Sequence, residues 1–160
     1  MQAAPVTQVW LAAPEESAAV AGLLLEFRNW WGRAKPPDAT FRASVDRLMR
    51  GLDAEFLLGS VGDRSEAVGV CQLRYRFSVW YGAEDCWLED LFVGESARRS
   101  GLGAALLDAA LVRARERRCA RVDLDVDERN VAALALYERF GFSAASGLGG
   151  GRTLLMRLRR

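Results

Sequence analysis

The strongest constraint on the fold is a long alternating stretch in the middle of the chain. Between residues 67 and 80, Cys71, Leu73, Tyr75, Phe77 and Val79 occupy every second position, the period of a strand with one apolar face. A turn at Tyr81-Gly82-Ala83 leads back into a second run, 85–93. Two strands joined by so short a connection run antiparallel, because a parallel return needs a crossover of a dozen or more residues. The run 54–61, separated from the first by the polar turn Gly62-Asp63-Arg64-Ser65, extends the meander.

The flanking segments add helices. Residues 7–12 read as a first strand, and Pro14 is placed to open a helix. Val20, Leu23, Leu24, Phe27 and Trp31 recur at helical spacing. After Pro36-Pro37, Asp38 is positioned to cap a second helix with Phe41, Val45, Leu48 and Met49 on one face and Gly51 as its stop. Beyond residue 93 the pattern predicts helix 101–118, strand 120–126, helix 129–140 and short strands 141–145 and 152–159, the last two separated by a flexible loop from Ser146 to Gly151. The order predicts an α+β fold around a central mixed sheet, not repeated βαβ units. The whole of 1–160 is the size of a single domain.

Composition excludes several function classes. A net charge of +1 provides no global field for nucleic acid or an anionic membrane. No apolar stretch approaches the roughly 18 residues of a membrane span, and Met-Gln-Ala-Ala-Pro does not begin a signal peptide. The three cysteines, Cys71, Cys86 and Cys119, lack a C-x-x-C spacing, so neither a disulfide framework nor a zinc ribbon is expected, and free thiols imply a cytoplasmic setting. Histidine is absent, which removes His-activated nucleophiles and His-rich metal sites. Asp123-x-Asp125-x-Asp127 has Glu128 and Leu134 where a calcium loop needs glycine and glutamate. No metal is expected.

The best candidate for a ligand site joins strand 85–93 to helix 101–118. Arg98-Arg99-Ser100-Gly101-Leu102-Gly103-Ala104 places glycines at a helix start, where unpaired amides and the helix dipole attract an anion such as a diphosphate. Two nucleotide motifs fail here. A Walker A loop would need lysine after Gly101, and a Rossmann fingerprint would need glycine at position 106, which is leucine. On helix 129–140, Asn130, Ala133 and Tyr137 share a face.

Together, Arg98-x-x-Gly101-x-Gly103 and, about 30 residues on, Asn130-x-x-Ala133-x-x-x-Tyr137-x-x-x-Gly141-Phe142 resemble the GNAT superfamily of acetyl-CoA-dependent N-acetyltransferases. The likeness is strongest over 85–143, and over 1–80 it rests on element order. Trp87-Leu88-Glu89-Asp90-Leu91-Phe92-Val93 is similar to the central strand of the diamine (spermidine/spermine) acetyltransferase branch. Ser100 stands where a glycine or basic residue is common.

The resemblance implies a GNAT-like sheet, mixed and mostly antiparallel, of six to seven strands with about four helices. It implies acetyl-CoA as cosubstrate, its pantetheine lying along Leu91, Phe92 and Val93 and its diphosphate on Arg98–Ala104. Asn130 would touch the pantetheine or orient its helix, and Tyr137 would point its hydroxyl at the thioester sulfur. A primary ammonium must lose a proton before it attacks. Glu89 is the favoured base, directly or through a water, with Tyr137 assisting the departing thiolate and a strand amide stabilising the oxyanion. Asp85, Trp87 and Asp90 would help hold a small cationic amine. Alternation sends Glu89 and Asp90 to opposite faces unless a bulge intervenes. Relatives often form homodimers, and Trp80, Tyr81 and Trp87 are placed to shape a pocket or a dimer contact. The competing reading is a non-catalytic module that binds acetyl-CoA as a regulatory ligand.

Overall fold

A computed structural model describes residues 6–62, 66–144 and 154–159. The chain divides into two compact units, Met1–Asp125 and Val126–Arg160. The first unit holds β1 (Thr7–Leu11), α1 (Ser17–Trp30), α2 (Asp38–Met49), β2 (Ala54–Val61), β3 (Gly69–Ser78), β4 (Ala83–Val93), α3 (Leu102–Glu116) and β5 (Arg121–Asp123). The second holds α4 (Val131–Arg139). Among the described residues no helix is long and apolar enough to cross a membrane.

Among the described residues five strands form one sheet, in chain order. β1 to β4 form the expected antiparallel meander, and β5 joins β4 in parallel, so the sheet is mixed and mostly antiparallel. The expected strand 120–126 shortens to Arg121–Asp123, and residues 141–144 and 154–159 carry no strand. The remainder of those two segments, with the Ser146–Gly151 loop, lies outside the described residues.

The two faces are covered differently. On one, Val20 and Leu24 of α1 and Val45 of α2 pack with Phe56, Leu58, Val70 and Phe92. Burying each such side chain contributes roughly 1.5–3 kcal/mol. On the other, α3 sits directly on two strand glycines. An added Cβ on Gly59 would lie 2.7 Å from Leu102 Cδ1, and one on Gly69 2.9 Å from Leu106 Cδ1. The far end of α3 is tied down by charge: Arg113 grips Glu55 through Nε at 2.9 Å and Nη2 at 2.7 Å, and Tyr75 donates its hydroxyl to the same carboxylate at 2.9 Å. Arg117 grips Glu84 at 3.0 and 2.9 Å. Burial pushes Glu55 upward, but the arginine and tyrosine hydrogen bonds outweigh it and hold its carboxyl below the ordinary value.

Several local expectations change. Pro14 opens a short 3₁₀ turn, Pro14–Glu16, and α1 begins only at Ser17. Glu16 closes that turn by accepting the Ala13 N–H and the Trp10 indole N–H, both at 2.9 Å. Asp38 is not a cap, because Pro37 takes the cap position; its carboxylate accepts from Arg28 at 2.8 Å instead. Trp31 falls just beyond α1 and is partly exposed. In β3 the apolar face leaves the core after Tyr75, so Phe77 and Val79 are exposed beside Trp80, which is 95% exposed at the hairpin tip.

Candidate active site

β4 carries the site, and its geometry turns on one irregularity. Leu73 pairs with Leu88, but the next residue back, Gln72, pairs with Asp90. Glu89 is therefore an extra residue in β4, a bulge that leaves its backbone groups out of the ladder. On the other edge β5 pairs only with Asp85, Cys86 and Trp87. Among the described residues no strand pairs with that edge over Leu88–Val93. The two parallel strands part at the bulge, and a stretch of strand edge is left for an extended ligand to occupy as an added strand would.

The bulge also decides where the carboxylates point. Strand partners share a face, so Asp90 opposite Gln72 and Phe92 opposite Val70 lie on the face that α1 and α2 cover, with Trp87 and Asp85 farther along. Glu89 is exposed and Asp90 half-buried. Burial raises the Asp90 carboxyl to about 6, helped by the negative charges of Glu89 and Asp125. Such a carboxylate is poised to accept a proton near neutral pH. Asp85 is only 3% exposed and its Oδ2 accepts from Arg121 at 3.0 Å. Trp87 is half-buried on that face. Phe92 is buried in a stack with Phe27, ring centres 5.1 Å apart. Leu91 lies on the α3 face opposite Cys71, and Val93 ends the strand opposite Gly69.

After Val93 the chain makes a 3₁₀ turn, Glu95–Ala97, and then the start of α3. Two residues here adopt left-handed backbone, Arg99 with φ 62° and Gly101 with φ 89°. At Gly101 that conformation is free of side-chain strain, and nothing lies within 4 Å of where its Cβ would be. Leu102, Gly103 and Ala104 follow as the first turn, whose N–H groups have no carbonyl behind them within the helix. Ser100 Oγ accepts the Leu102 N–H at 3.3 Å and donates to the Ala97 carbonyl at 2.6 Å, fixing the turn. Leu102 is buried against the glycines, while Gly103 and Ala104 remain partly exposed. Arg98 and Arg99 are exposed. An open glycine at the N-terminus of a fifteen-residue helix, with two arginines before it, suits a diphosphate.

A cleft of about 490 Å³ opens between α1 and the segments around Ala67 and Gly94, with Glu26 on its wall. None of the thiols is activated. Burial raises Cys71 and pushes Cys86 up to about 12, and Cys119 is raised too. A nucleophilic cysteine needs the opposite shift. Among the described residues no cluster of acidic or cysteine side chains is arranged to hold a metal.

In the second unit, Asn130 caps α4, its Oδ1 accepting the Ala133 N–H at 3.2 Å. Tyr137 lies on the same helix and meets Phe142 edge-on, ring centres 5.8 Å apart.

A model of the acetyltransferase (GNAT) family matches residues 23–142. The chain belongs to the GNAT acetyltransferase family. Its fold is that of an Arthrobacter sp. FB24 structure assigned to the acetyltransferases, with TM-score 0.81 and 29% identity over all of this chain and 99% of that one. An aminoglycoside N-acetyltransferase, AAC(6')-Iy, solved with CoA, shares the fold at TM-score 0.75 and 16% identity, covering 100% and 99% of the two chains. Among curated proteins, the spermine/spermidine N(1)-acetyltransferase of Bacillus subtilis (strain 168) is 39% identical over 57 residues, 35% of this chain and 38% of the relative. The mycothiol acetyltransferase of Salinispora arenicola (strain CNS-205) is 54% identical over 54 residues, 33% of this chain and 18% of the relative. The chain thus spans less than two-fifths of the length of these curated relatives. The acyl donor of this GNAT family is acetyl-CoA, and the parted strand edge and the open Gly101 turn fit its extended arm and its diphosphate.

Proposed function

We propose that this chain is an N-acetyltransferase that moves the acetyl group of acetyl-CoA onto the primary amine of a small cationic molecule, by direct attack. The observation that carries the reading is the parting of β4 and β5 at the Glu89 bulge, with the glycine start of α3 following the same end of β4. Acetyl-CoA supplies an activated thioester. The N–H groups of Gly103 and Ala104, with Arg98 and Arg99, bind its diphosphate, and the backbone of Leu91–Val93 aligns its pantetheine.

Asp90 takes the proton from the substrate ammonium. The family resemblance favours Glu89, but the raised Asp90 carboxyl is the better matched base, and the Glu89 charge helps to raise it. The out-of-register amide at the bulge stabilises the negative charge that develops on the acetyl oxygen. Tyr137 gives its proton to the departing thiolate and is restored by the second proton that the attacking nitrogen loses as the amide forms, while the proton held by Asp90 leaves to solvent. Asn130 fixes the start of α4. The carboxylates of Glu89 and Asp90, with Asp125 close enough to raise Asp90, support a cationic acceptor, while Glu84 and Asp85 are already held by Arg117 and Arg121. The exposed hairpin tip at Phe77, Val79, Trp80 and Tyr81 supports a homodimer.

The test is free-thiol release from acetyl-CoA across a panel of amines that includes spermidine, lysine and an aminoglycoside. The proposal expects at least one amine-dependent rate that falls about 100-fold or more in Asp90→Asn and clearly in Tyr137→Phe. Release that is independent of every amine, or unchanged in both variants, sinks the enzymatic reading in favour of a regulatory acetyl-CoA-binding module.

A further inference from the structure

Gln72 stands opposite the bulge. It pairs with Asp90 at the step where the β3–β4 register shifts, so the two side chains leave the same face of the sheet as neighbours. Directly opposed residues hold their Cβ atoms about 4.5–5.5 Å apart. Gln72 is only 6% exposed, yet its carboxamide has no hydrogen-bond partner among the described residues. The Asp90 carboxyl has none there either; burial and neighbouring charge raise it with no hydrogen bond to oppose them. The amide is chemically able to donate to that carboxylate and does not. A buried amide without a partner costs stability. Nor is this one sealed in. Among the described residues the side-chain atoms wholly buried without a partner are Ser60 Oγ and Asp85 Oδ1, so the Gln72 amide keeps contact with open space. Two polar groups side by side, each without a protein partner, are arranged to meet one ligand atom between them.

We infer that Gln72 binds the acceptor nitrogen, its amide oxygen accepting an N–H from the ammonium that Asp90 deprotonates. The inference rests on the proposed reaction. A primary ammonium carries three hydrogens. Asp90 takes one, and a second restores Tyr137 as the amide forms. The third stays on the nitrogen of the product, and it is the one that Gln72 holds. A carboxamide is neutral and its oxygen accepts without taking up a proton near neutral pH, so it does not compete with Asp90. The pair is therefore fitted to a primary amine. A hydroxyl brings a single hydrogen, which Asp90 would remove, leaving the Gln72 oxygen unpaired in the complex, and a site built to hydrogen-bond its substrate rejects such a mismatch.

Because Gln72 holds the same hydrogen before, during and after attack, it binds substrate and transition state alike. Its loss should raise KM and spare kcat. Gln72→Met keeps the length of the side chain and removes the amide. In steady-state kinetics of the full chain with a responsive amine, KM is expected to rise roughly 10–100-fold, the worth of a hydrogen bond to a charged group. The same variant should keep kcat within about threefold of native. Calorimetric affinity for coenzyme A stays native, and Tm is unchanged or higher, since exchanging an unpaired buried amide for an apolar group is neutral or stabilising. Asp90→Asn, by contrast, loses kcat. Gln72→Leu carries the test if the methionine variant does not fold, and failure of both to fold marks the amide as structural and overturns the inference. A native KM overturns it, as does a loss confined to kcat or matched by weaker coenzyme A binding. A native chain that acetylates no amine refutes the acetyltransferase reading and the inference with it. Turnover that depends on Asp90 while both Gln72 variants keep the native KM refutes the inference alone.

Discussion

Replacing Gly69 with alanine puts a methyl group where α3 rests on the sheet. The new carbon would lie 2.9 Å from Leu106 Cδ1, 3.0 Å from Leu102 Cδ2 and 3.4 Å from Leu102 Cγ. Neither leucine has room to withdraw, since Leu106 is 0% and Leu102 1% exposed. Relief must come from lifting the first turns of α3, and Leu102 is its first residue. Overpacking of this kind costs roughly 1–3 kcal/mol. Alanine returns about 0.4–1 kcal/mol by restricting the unfolded chain, which leaves a net loss of roughly 1–2 kcal/mol. For a chain of this size each kcal/mol lowers Tm by about 2–4 °C, so a fall of roughly 2–8 °C is expected. Because the displaced turn is the proposed diphosphate site, coenzyme A affinity should fall in parallel. Thermal melts and calorimetry read the two effects. Leu106→Ala alone opens a cavity, but in the Gly69→Ala background it makes room for the new methyl, so the double variant should be more stable than the two losses added together. A Gly69→Ala protein with native Tm and native affinity would refute the idea that α3 is seated on the glycines.

Two further outcomes follow from charge. The rate for a responsive amine should fall below an apparent pKa of about 6, because protonated Asp90 cannot act as a base, and Glu89→Gln should move that limb to lower pH by removing one of the charges that raise it. A limb that stays in place, or complete loss of activity in Glu89→Gln, would assign the base elsewhere. The same upward shift means that ionised Asp90 costs stability as pH rises through about 6, so Asp90→Asn should raise Tm at pH 8 and change it little at pH 4. Glu55 works in the opposite sense. Its carboxyl is held below the ordinary 4.5, so its contribution is present above that pH and lost as pH falls through the lowered value. Urea titrations should show Glu55→Gln about 2 kcal/mol less stable at neutral pH, the size of lost charge-assisted hydrogen bonds, with the gap closing in acid. A gap independent of pH would contradict the pairing.

The meander, the order of elements from β1 to α4 and the helix start at Gly101 were readable in the sequence because each rests on local spacing: two-residue alternation, short connections, glycines before an apolar helix; the two short strands expected after α4 were not found in the described residues. The bulge was different. Trp87-Leu88-Glu89-Asp90 carries no composition that marks one residue as extra, so alternation alone could frame the choice between Glu89 and Asp90 without deciding it. Contacts between distant residues were also hidden. Asp85 looked like part of an open acidic pocket until β5 brought Arg121 against it from 36 residues away. Gly59 and Gly69 looked like ordinary strand positions, and only the leucines of α3 show what the missing side chains are for. Asp38 was legible as a helix-start residue but not as the partner of Arg28. The aromatic spacing in α1 was plain, whereas the arginine that lies on Trp30 comes from a loop 68 residues later.

The central claim is that the strand edge at Leu91–Val93 and the first turn of α3 together hold coenzyme A. Backbone amide NMR shifts recorded during a coenzyme A titration test it residue by residue. The account predicts that Ser100, Gly101, Leu102, Gly103 and Ala104 shift most, with Leu91–Val93 following the same saturation curve. Titration to millimolar coenzyme A that leaves these amides unmoved, or moves a different region alone, would contradict it.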